Sequence, residues 1–401
     1  MSIKRRCLLL SIMLVILFIS HACDSSEPEE EMIFGMLLVG PYNDQGWSQA
    51  HFDGGLYVEE KLDNVKMLWI DKVNPADRPD TTTEELAQVL VQKGASLIIF
   101  TSDDMKDAAI KFARAHPQII VIHAGGNGDT AWKEGKNYEN IHNLGNVMGR
   151  MEFGRMISGC SAALTTQTGK IGYLGPLVNE ETLRLAASTY LGAKYCWTDY
   201  LRKDPEDLTF KVTWIGFWFD VPGVTLDPSQ VSADFFNSGY DVVISGIDTR
   251  EALQEAKKFA DAGNRVWAAP YDYIRGCEDA PEVCIGVSYF NWGPGYLRIV
   301  KAAQSGDWER SWDWESPDFT DINNRDTSAV GFIQGDGLTP NATARLDEFI
   351  SALGEGLNLW IGPINLIDGT MYLSDGEVAT DQQIWYLPRL LEGMIENGVR
   401  E

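Results

Sequence analysis

From residue 32 onward, short apolar runs alternate with stretches of helical spacing, and this alternation confines the chain to an α/β architecture. The run at 32–39 suits a strand buried on both faces. A turn-rich loop follows at 40–46, then helical spacing at 47–62. Strands are predicted at 65–70, 96–100 and 119–123, with helices at 83–93 and 106–115 between them. Strands separated by helices pair in parallel, so the series predicts one parallel sheet covered by helices.

The series then restarts. The spacing predicts a helix over 145–164, a strand at 170–174 and a helix over 181–203. Strands follow at 210–215, 241–245, 265–269 and 283–288, with helices at 229–237, 250–262 and 293–305. The text from 308 to 326 is aromatic and irregular and yields no assignment. A strand at 330–333, a helix at 346–353, a late hairpin from 358–361 and 371–373, and a closing helix over 382–396 complete the reading. Two such series predict two lobes. In open α/β sheets the ligand lies beyond the carboxyl ends of the strands.

Those strand ends are rich in rings and acids. The first carries Asp44, Trp47 and Ser48, and Trp47 opens a helix whose first amides are free to meet acceptors. The fifth carries Phe217, Trp218 and Phe219, more aromatic surface than alternate strand faces need. A ring from each lobe could sandwich a flat ligand, at about 1–3 kcal/mol per stacked base. Asp103, Asp104, Asp248 and Asp272 stand at other strand ends as hydrogen-bond acceptors. Arg184 reads as an ion-pair partner between lobes or on a helix face, and His123 as a structural histidine.

The start of the chain sets a compartment. Lys4, Arg5 and Arg6 precede an apolar run at 8–19, too short for a spanning helix, which needs about 20 residues. This is the form of an export signal over 1–22. Ser20-His21-Ala22-Cys23 resembles a lipidation site, with Cys23 as the lipid-bearing residue and the acidic stretch 23–31 as a tether. The net charge is −25, and the first 22 residues contribute three basic groups and no acidic one. So acidic a chain is unsuited to binding nucleic-acid phosphates. Cys277 and Cys284 bracket a turn-like hexapeptide, a spacing that suits a local disulfide without deciding it. Cys160 and Cys196 fall on predicted helices and read as buried free thiols.

Catalytic signatures do not surface. No G-x-G-x-x-G follows the first strand, and Gly169-Lys170 lacks the rest of a phosphate loop. There is no G-x-S-x-G elbow, and no two histidines stand at metal-ligand spacing. The sequence therefore reads as a binding protein with no catalytic residues, no cofactor and no metal.

Several motifs in order resemble a known family. They are Gly40-Pro41-x-x-Asp44-x-Gly46-Trp47 with Gly54, Gly145-Asn146-x-x-Gly149-Arg150-Met151, and Thr168-Gly169-Lys170-Ile171-Gly172-Tyr173. Trp218-Phe219-Asp220 and Asn291-Trp292-Gly293-Pro294-Gly295-Tyr296 continue the match. Between about 32 and about 393 the chain resembles the basic membrane protein family of ABC-transporter substrate-binding lipoproteins, which includes the purine nucleoside receptors. The match is nearest to members with Trp at position 47.

The resemblance implies a type I periplasmic-binding-protein fold, two Rossmann-like lobes with parallel sheets joined by a three-crossover hinge. It places lobe 1 at 32–142 with about 270–325, lobe 2 at 143–269 with about 326–381, and a C-terminal helix at 382–401. It implies a purine nucleobase or nucleoside as ligand, an ABC permease and ATPase as partners, and a membrane held through the N-terminal lipid. Trp47 and Trp218 would be the stacking pair, Asp103 or Asp104 would read the purine edge, and Asp272 would meet ribose. Ser48 stands where the nucleoside receptors carry Asn. Asn291 falls near a Lys that assists ribose binding, and that exchange favours a free base such as adenine or guanine, or an altered sugar. The alternatives are a same-fold receptor for a sugar or other small aromatic ligand, a receptor for a signalling partner, and a nucleoside-cleaving enzyme.

Overall fold

The computed structural model describes residues 31–126 and 140–399. The signal segment, Cys23 and most of the tether lie outside the described residues. The chain begins with β1 (Met32–Leu37), α1 (Trp47–Lys61), β2 (Val65–Ile70), α2 (Thr83–Gln92), β3 (Ala95–Phe100), α3 (Lys106–Ala115), β4 (Ile120–Ala124) and β5 (Leu144–Gly149). It continues with α4 (Met151–Thr165), β6 (Lys170–Gly175), α5 (Glu180–Tyr195), β7 (Thr209–Trp214), α6 (Pro228–Asn237), β8 (Val242–Ser245), α7 (Glu251–Asp261) and β9 (Trp267–Ala269). Then come β10 (Tyr271–Asp272), β11 (Val287–Phe290), α8 (Gly293–Ser305), β12 (Trp312–Glu315) and β13 (Val330–Ile333). The end holds α9 (Pro340–Gly354), β14 (Ile364–Asn365), β15 (Met371–Leu373), α10 (Asp381–Trp385) and β16 (Met394–Gly398).

Two parallel sheets result. The first has the order β12-β5-β4-β3-β1-β2 and the second β16-β7-β6-β8-β9. The chain passes between them three times, after β5, after β9 and after β12, which is the expected three-crossover hinge. A small sheet, β10-β11-β13, lies along the second and third passages. Both large sheets are buried on two faces. In the second sheet Tyr173, Val242 and Ile244 enter one core, while Leu174 and Val243 enter another, the two-residue alternation of a strand.

Three assignments from the sequence need correction. Residues 144–149 are a strand, not the first turns of a helix, because β4 pairs on one side and β12 on the other. The first passage between lobes therefore begins after Gly149, not at 142–143. The closing helix over 382–396 stops at Trp385, since Pro388 cannot continue it, and 394–398 instead extend the second sheet beside β7. The late hairpin is formed by β14 and β15, so its first arm lies at 364–365 instead of 358–361.

Helices α4 and α5 meet with their backbones almost in contact. A Cβ on Gly159 would lie 1.9 Å from the Thr189 carbonyl oxygen, and one on Gly192 2.0 Å from that of Met156. At this crossing the fourth correction appears: Cys160 and Cys196 are not free thiols but a disulfide, with Cα atoms 5.2 Å apart. Cys277 and Cys284 form a second bridge. The first closes a loop spanning 36 residues. Chain-entropy reasoning for a loop of that length gives about 3–4 kcal/mol of stabilisation. The Cys160→Ala/Cys196→Ala protein should unfold at correspondingly lower urea, with wild-type binding retained. Equal urea midpoints for the two proteins would remove this role.

Candidate functional site

The carboxyl ends of strands from both sheets face one cleft. Val39, Trp47, Ser102 and Asp103 line it from the first sheet. Glu181, Trp218, Phe219 and Asp248 line it from the second, with Tyr271 at its base. The empty space within it, its open mouth included, amounts to about 350 Å³. The lobes nearly touch at one point: a Cβ on Gly46 would lie 2.1 Å from the Asp248 carbonyl oxygen. Closure to this distance requires glycine there.

Trp47 opens α1 and is held rigidly. Its indole N–H donates to the Thr101 carbonyl at 2.5 Å, and its ring meets His51, Phe290 and Trp292 edge-on at 4.6–5.4 Å. Asp44 fixes the start of that helix, because its carboxylate accepts from the amides of Gly46, Ser48 and Gln49 at 2.9–3.0 Å. Burial pushes the Asp44 carboxyl up, against the pull of those amides. Ser48 is buried behind it and accepts from the Gly40 amide at 2.9 Å. Asp44 and Ser48 thus shape the loop and are not cleft-lining groups.

Trp218 stands half-buried on the opposite wall. Its carbonyl accepts from the Asp248 amide at 2.9 Å, which ties the loop after β7 to the loop after β8. Asp103 reaches across the cleft, accepting from the Asn179 side chain at 3.2 Å. Asp104 is exposed and lines a neighbouring groove with Met105 and Phe217, outside the cleft. Asn291 is also elsewhere: its amide donates to the carbonyls of Arg325 and Ser328 at 2.9 and 2.7 Å, and it borders a separate surface pocket.

Asp272 has the least ordinary surroundings. It is fully buried, and no hydrogen-bond donor reaches either of its carboxylate oxygens. Its backbone sits at φ +72°, a left-handed conformation that non-glycine residues rarely adopt. The Tyr273 amide donates to the Tyr271 carbonyl across it at 3.0 Å, closing a three-residue turn. Burial and then the charge of Asp248 hold its carboxyl well above the usual range. Burial and the charge of Asp44 do the same for Asp248. Glu181 is raised by burial and by Asp103.

Sequence reasoning singled out neither Glu181 nor Arg155 for the site. Glu181 lies in the first turn of α5, and nothing in its local sequence separates a cleft acid from a surface one. Arg155 is fully buried beneath the cleft, between the rings of Tyr173 and Tyr271 at 5.1 and 4.6 Å. Its one sequence signal is a single arginine in a helix whose only other charge is Glu152, since a charge is rarely buried without a partner. Arg184 pairs with Glu152 at 2.5 Å, but both stand on buried helix faces of the second lobe, so the ion pair is neither between lobes nor on an exposed helix face. His123 is buried and bonded to the Ser102 carbonyl at 3.0 Å, in the structural role expected of it.

The arrangement can stack a flat ring and accept hydrogen bonds from it. Among the described residues no group of three or more His, Cys, Asp or Glu side chains is placed to hold a metal ion. Among the same residues no helix is long and apolar enough to cross a membrane.

Known proteins agree with this geometry. The purine-binding protein of Brucella abortus is 26% identical over 366 residues, covering 90% of this chain and 92% of that protein. A Haloferax volcanii protein named as an ABC transporter glucose-binding protein is 24% identical, covering 81% of this chain and 73% of its own. An ABC transporter solute-binding protein of Aeropyrum pernix has the same fold, with a TM-score of 0.59 at 14% identity, over 81% of this chain and 86% of the other. The fold is thus the two-lobed α/β fold of type I periplasmic-binding proteins. The family described as ABC transporter substrate-binding protein, PnrA-like, matches residues 32–315. Its members bind solutes for transport and are not enzymes, and an ABC permease and ATPase are the partners that such a system requires. With more than half of its length matched, the chain belongs to the PnrA-like ABC transporter substrate-binding proteins.

Proposed function

We propose that this solute-binding protein captures a purine nucleobase or nucleoside on the outer side of the membrane, to which a lipid on Cys23 holds it. The observation that carries the reading is the pair of tryptophans, Trp47 and Trp218, brought to one cleft from two different sheets. Two aromatic walls suit a flat ligand. The acids between them, Asp103, Glu181 and Asp248, suit N–H and O–H donors and repel anions. The purine-binding name of the Brucella relative points the same way. The moving units of this reading are the two lobes divided as the sequence suggests, with the first boundary after Gly149. The ligand favours closure by binding the closed state more tightly than the open one.

Calorimetric titration of the protein, unfolded and refolded to strip carried ligand, tests this with adenine, guanine, adenosine and guanosine. At least one of the four should bind at micromolar affinity or tighter. AMP should bind at least about tenfold more weakly than adenosine, since its phosphate would enter a cleft of carboxylates. A sugar is the second reading, favoured by the same acids and by the glucose-binding name of the Haloferax relative. Heat from glucose and none from the purines would replace the first reading by the second.

A further inference from the structure

The start of α5 reaches across to the first lobe at three points. The Asn179 side-chain amide donates to the Asp103 carboxylate at 3.2 Å, and Arg184 donates to the Gly126 carbonyl at 2.9 Å. Both acceptors stand just past strands of the first sheet, Asp103 after β3 and Gly126 after β4. The third point is the Glu181 carboxyl: a Cβ on Gly126 would lie 2.2 Å from its carbon, and one on Gly125 2.6 Å from an Asp103 carboxylate oxygen. Adjacent glycines thus leave room for one carboxyl side chain from each lobe.

Asn179 is held ready by its own lobe. As the N-cap of α5, its side-chain oxygen accepts from the Thr182 amide at 2.9 Å, while its backbone amide donates to the Thr182 hydroxyl at 3.0 Å. These bonds lie wholly within the second lobe, so they survive when the lobes part. They fix the side chain with its amide N–H turned to Asp103. Asp103 lines the cleft and Asn179 does not, so Asn179 acts on a ligand only through Asp103. The bond between them belongs to the closed lobes, and a contact made in one of two states shifts the equilibrium towards that state.

We propose that Asn179 is the latch of the cleft, a positioning residue that takes hold of Asp103 as the lobes close, presents its carboxylate to the ligand and slows the ligand's escape. The proposal rests on the cleft being the ligand site, as inferred above, and not on the ligand being a purine. The ligand enters between open lobes, before the bond to Asp103 has formed. Losing the latch therefore quickens release and leaves capture unchanged, the usual place for affinity differences among variants of one site.

Rates of capture and release, followed by stopped-flow tryptophan fluorescence on the full-length protein with adenosine as probe, test it. Asn179→Ser keeps an oxygen for the helix cap and loses the donor, so adenosine should leave about tenfold faster. Asn179→Asp keeps the cap and the shape but sets a carboxylate against Asp103. Release should then quicken by more than about tenfold, and less so in about 1 M salt. Capture rates should stay within about twofold of wild type. Urea midpoints of both ligand-free variants should match the wild type, because the cap is retained. A merely structural role for Asn179 would not quicken release at unchanged stability.

The same change is then made beside Asp103→Asn. There the new carboxylate faces an amide that can donate to it, so Asn179→Asp should no longer quicken release. Equal quickening with and without Asp103→Asn would overturn the proposal, and so would an unchanged release rate for Asn179→Asp alone. If glucose binds and no purine does, the purine reading falls, and the same rates measured with glucose decide the latch. If neither binds, the cleft is not the ligand site and the latch falls with it.

Discussion

Trp218→Ala should weaken binding of a flat ligand by about ten- to a hundredfold, with little loss of stability. The estimate follows from about 1–3 kcal/mol for a base stacked on an aromatic ring, with tenfold in affinity for each 1.4 kcal/mol or so. Trp218 is half-buried on the cleft wall, so its removal takes away ligand contact more than core packing. Trp47→Ala should lose at least as much affinity, but for two reasons at once. Its ring packs on Phe290, Trp292 and His51, and deleting a buried aromatic costs about 3–5 kcal/mol of stability. Trp47→Phe separates the two, because it keeps a ring in place while losing the bond to the Thr101 carbonyl. Titration of the three variants with the tightest-binding purine, beside their urea midpoints, checks the argument. An unchanged dissociation constant for Trp218→Ala would sink the stacked-ligand reading.

Arg184→Met should cost about 3–5 kcal/mol of stability. The Arg184 and Glu152 side chains are only 1% and 6% exposed, so removing the cation strands a buried carboxylate. Glu152 already has one oxygen without a partner. Arg184 also lies 4.0 Å over the Trp385 ring and donates to the Gly126 carbonyl at 2.9 Å, so it joins α5 to the end of β4 and to the C-terminal segment. Burial raises the Glu152 carboxyl, and Arg184 opposes that rise. Without the arginine the carboxyl rises further. A raised acid destabilises as pH climbs through its folded value, so the variant's deficit should be larger at about pH 8 than at about pH 5. Arg184→Met/Glu152→Gln should recover part of the loss, because the amide carries no charge. Urea denaturation at both pH values measures this, and equal deficits at the two would show that the charge pair is not the cause.

How much of the site could be read beforehand depended on the kind of residue. Trp47, Trp218, Asp103 and Asp248 follow directly strands of a βα series, and the position of such loops over a cleft is a property of the fold. Asp44 and Ser48 occupy the same kind of loop but turn inward, because the start of α1 needs acceptors for its free amides. Nothing in their local sequence distinguishes an acid that caps a helix from one that meets a ligand. Asn291 was read towards the cleft, yet its amide is drawn to two carbonyls more than thirty residues further on.

The sequence by itself determined the two parallel sheets, the order of their helices and most of the cleft loops. Those features rest on local apolar periodicity and on helix-linked strands pairing in parallel, both of which act over a few residues at a time. Tertiary structure alone decided three others. Strand β5 exists because β12, distant in sequence, pairs along its outer edge. The Cys160–Cys196 bridge exists because Gly159 and Gly192 let two helices close to backbone contact. The buried Arg184–Glu152 pair exists because α4 and α5 pack together over side chains more than thirty residues apart. Each depends on which distant groups burial brings together, and local residue pattern carries no record of that distance.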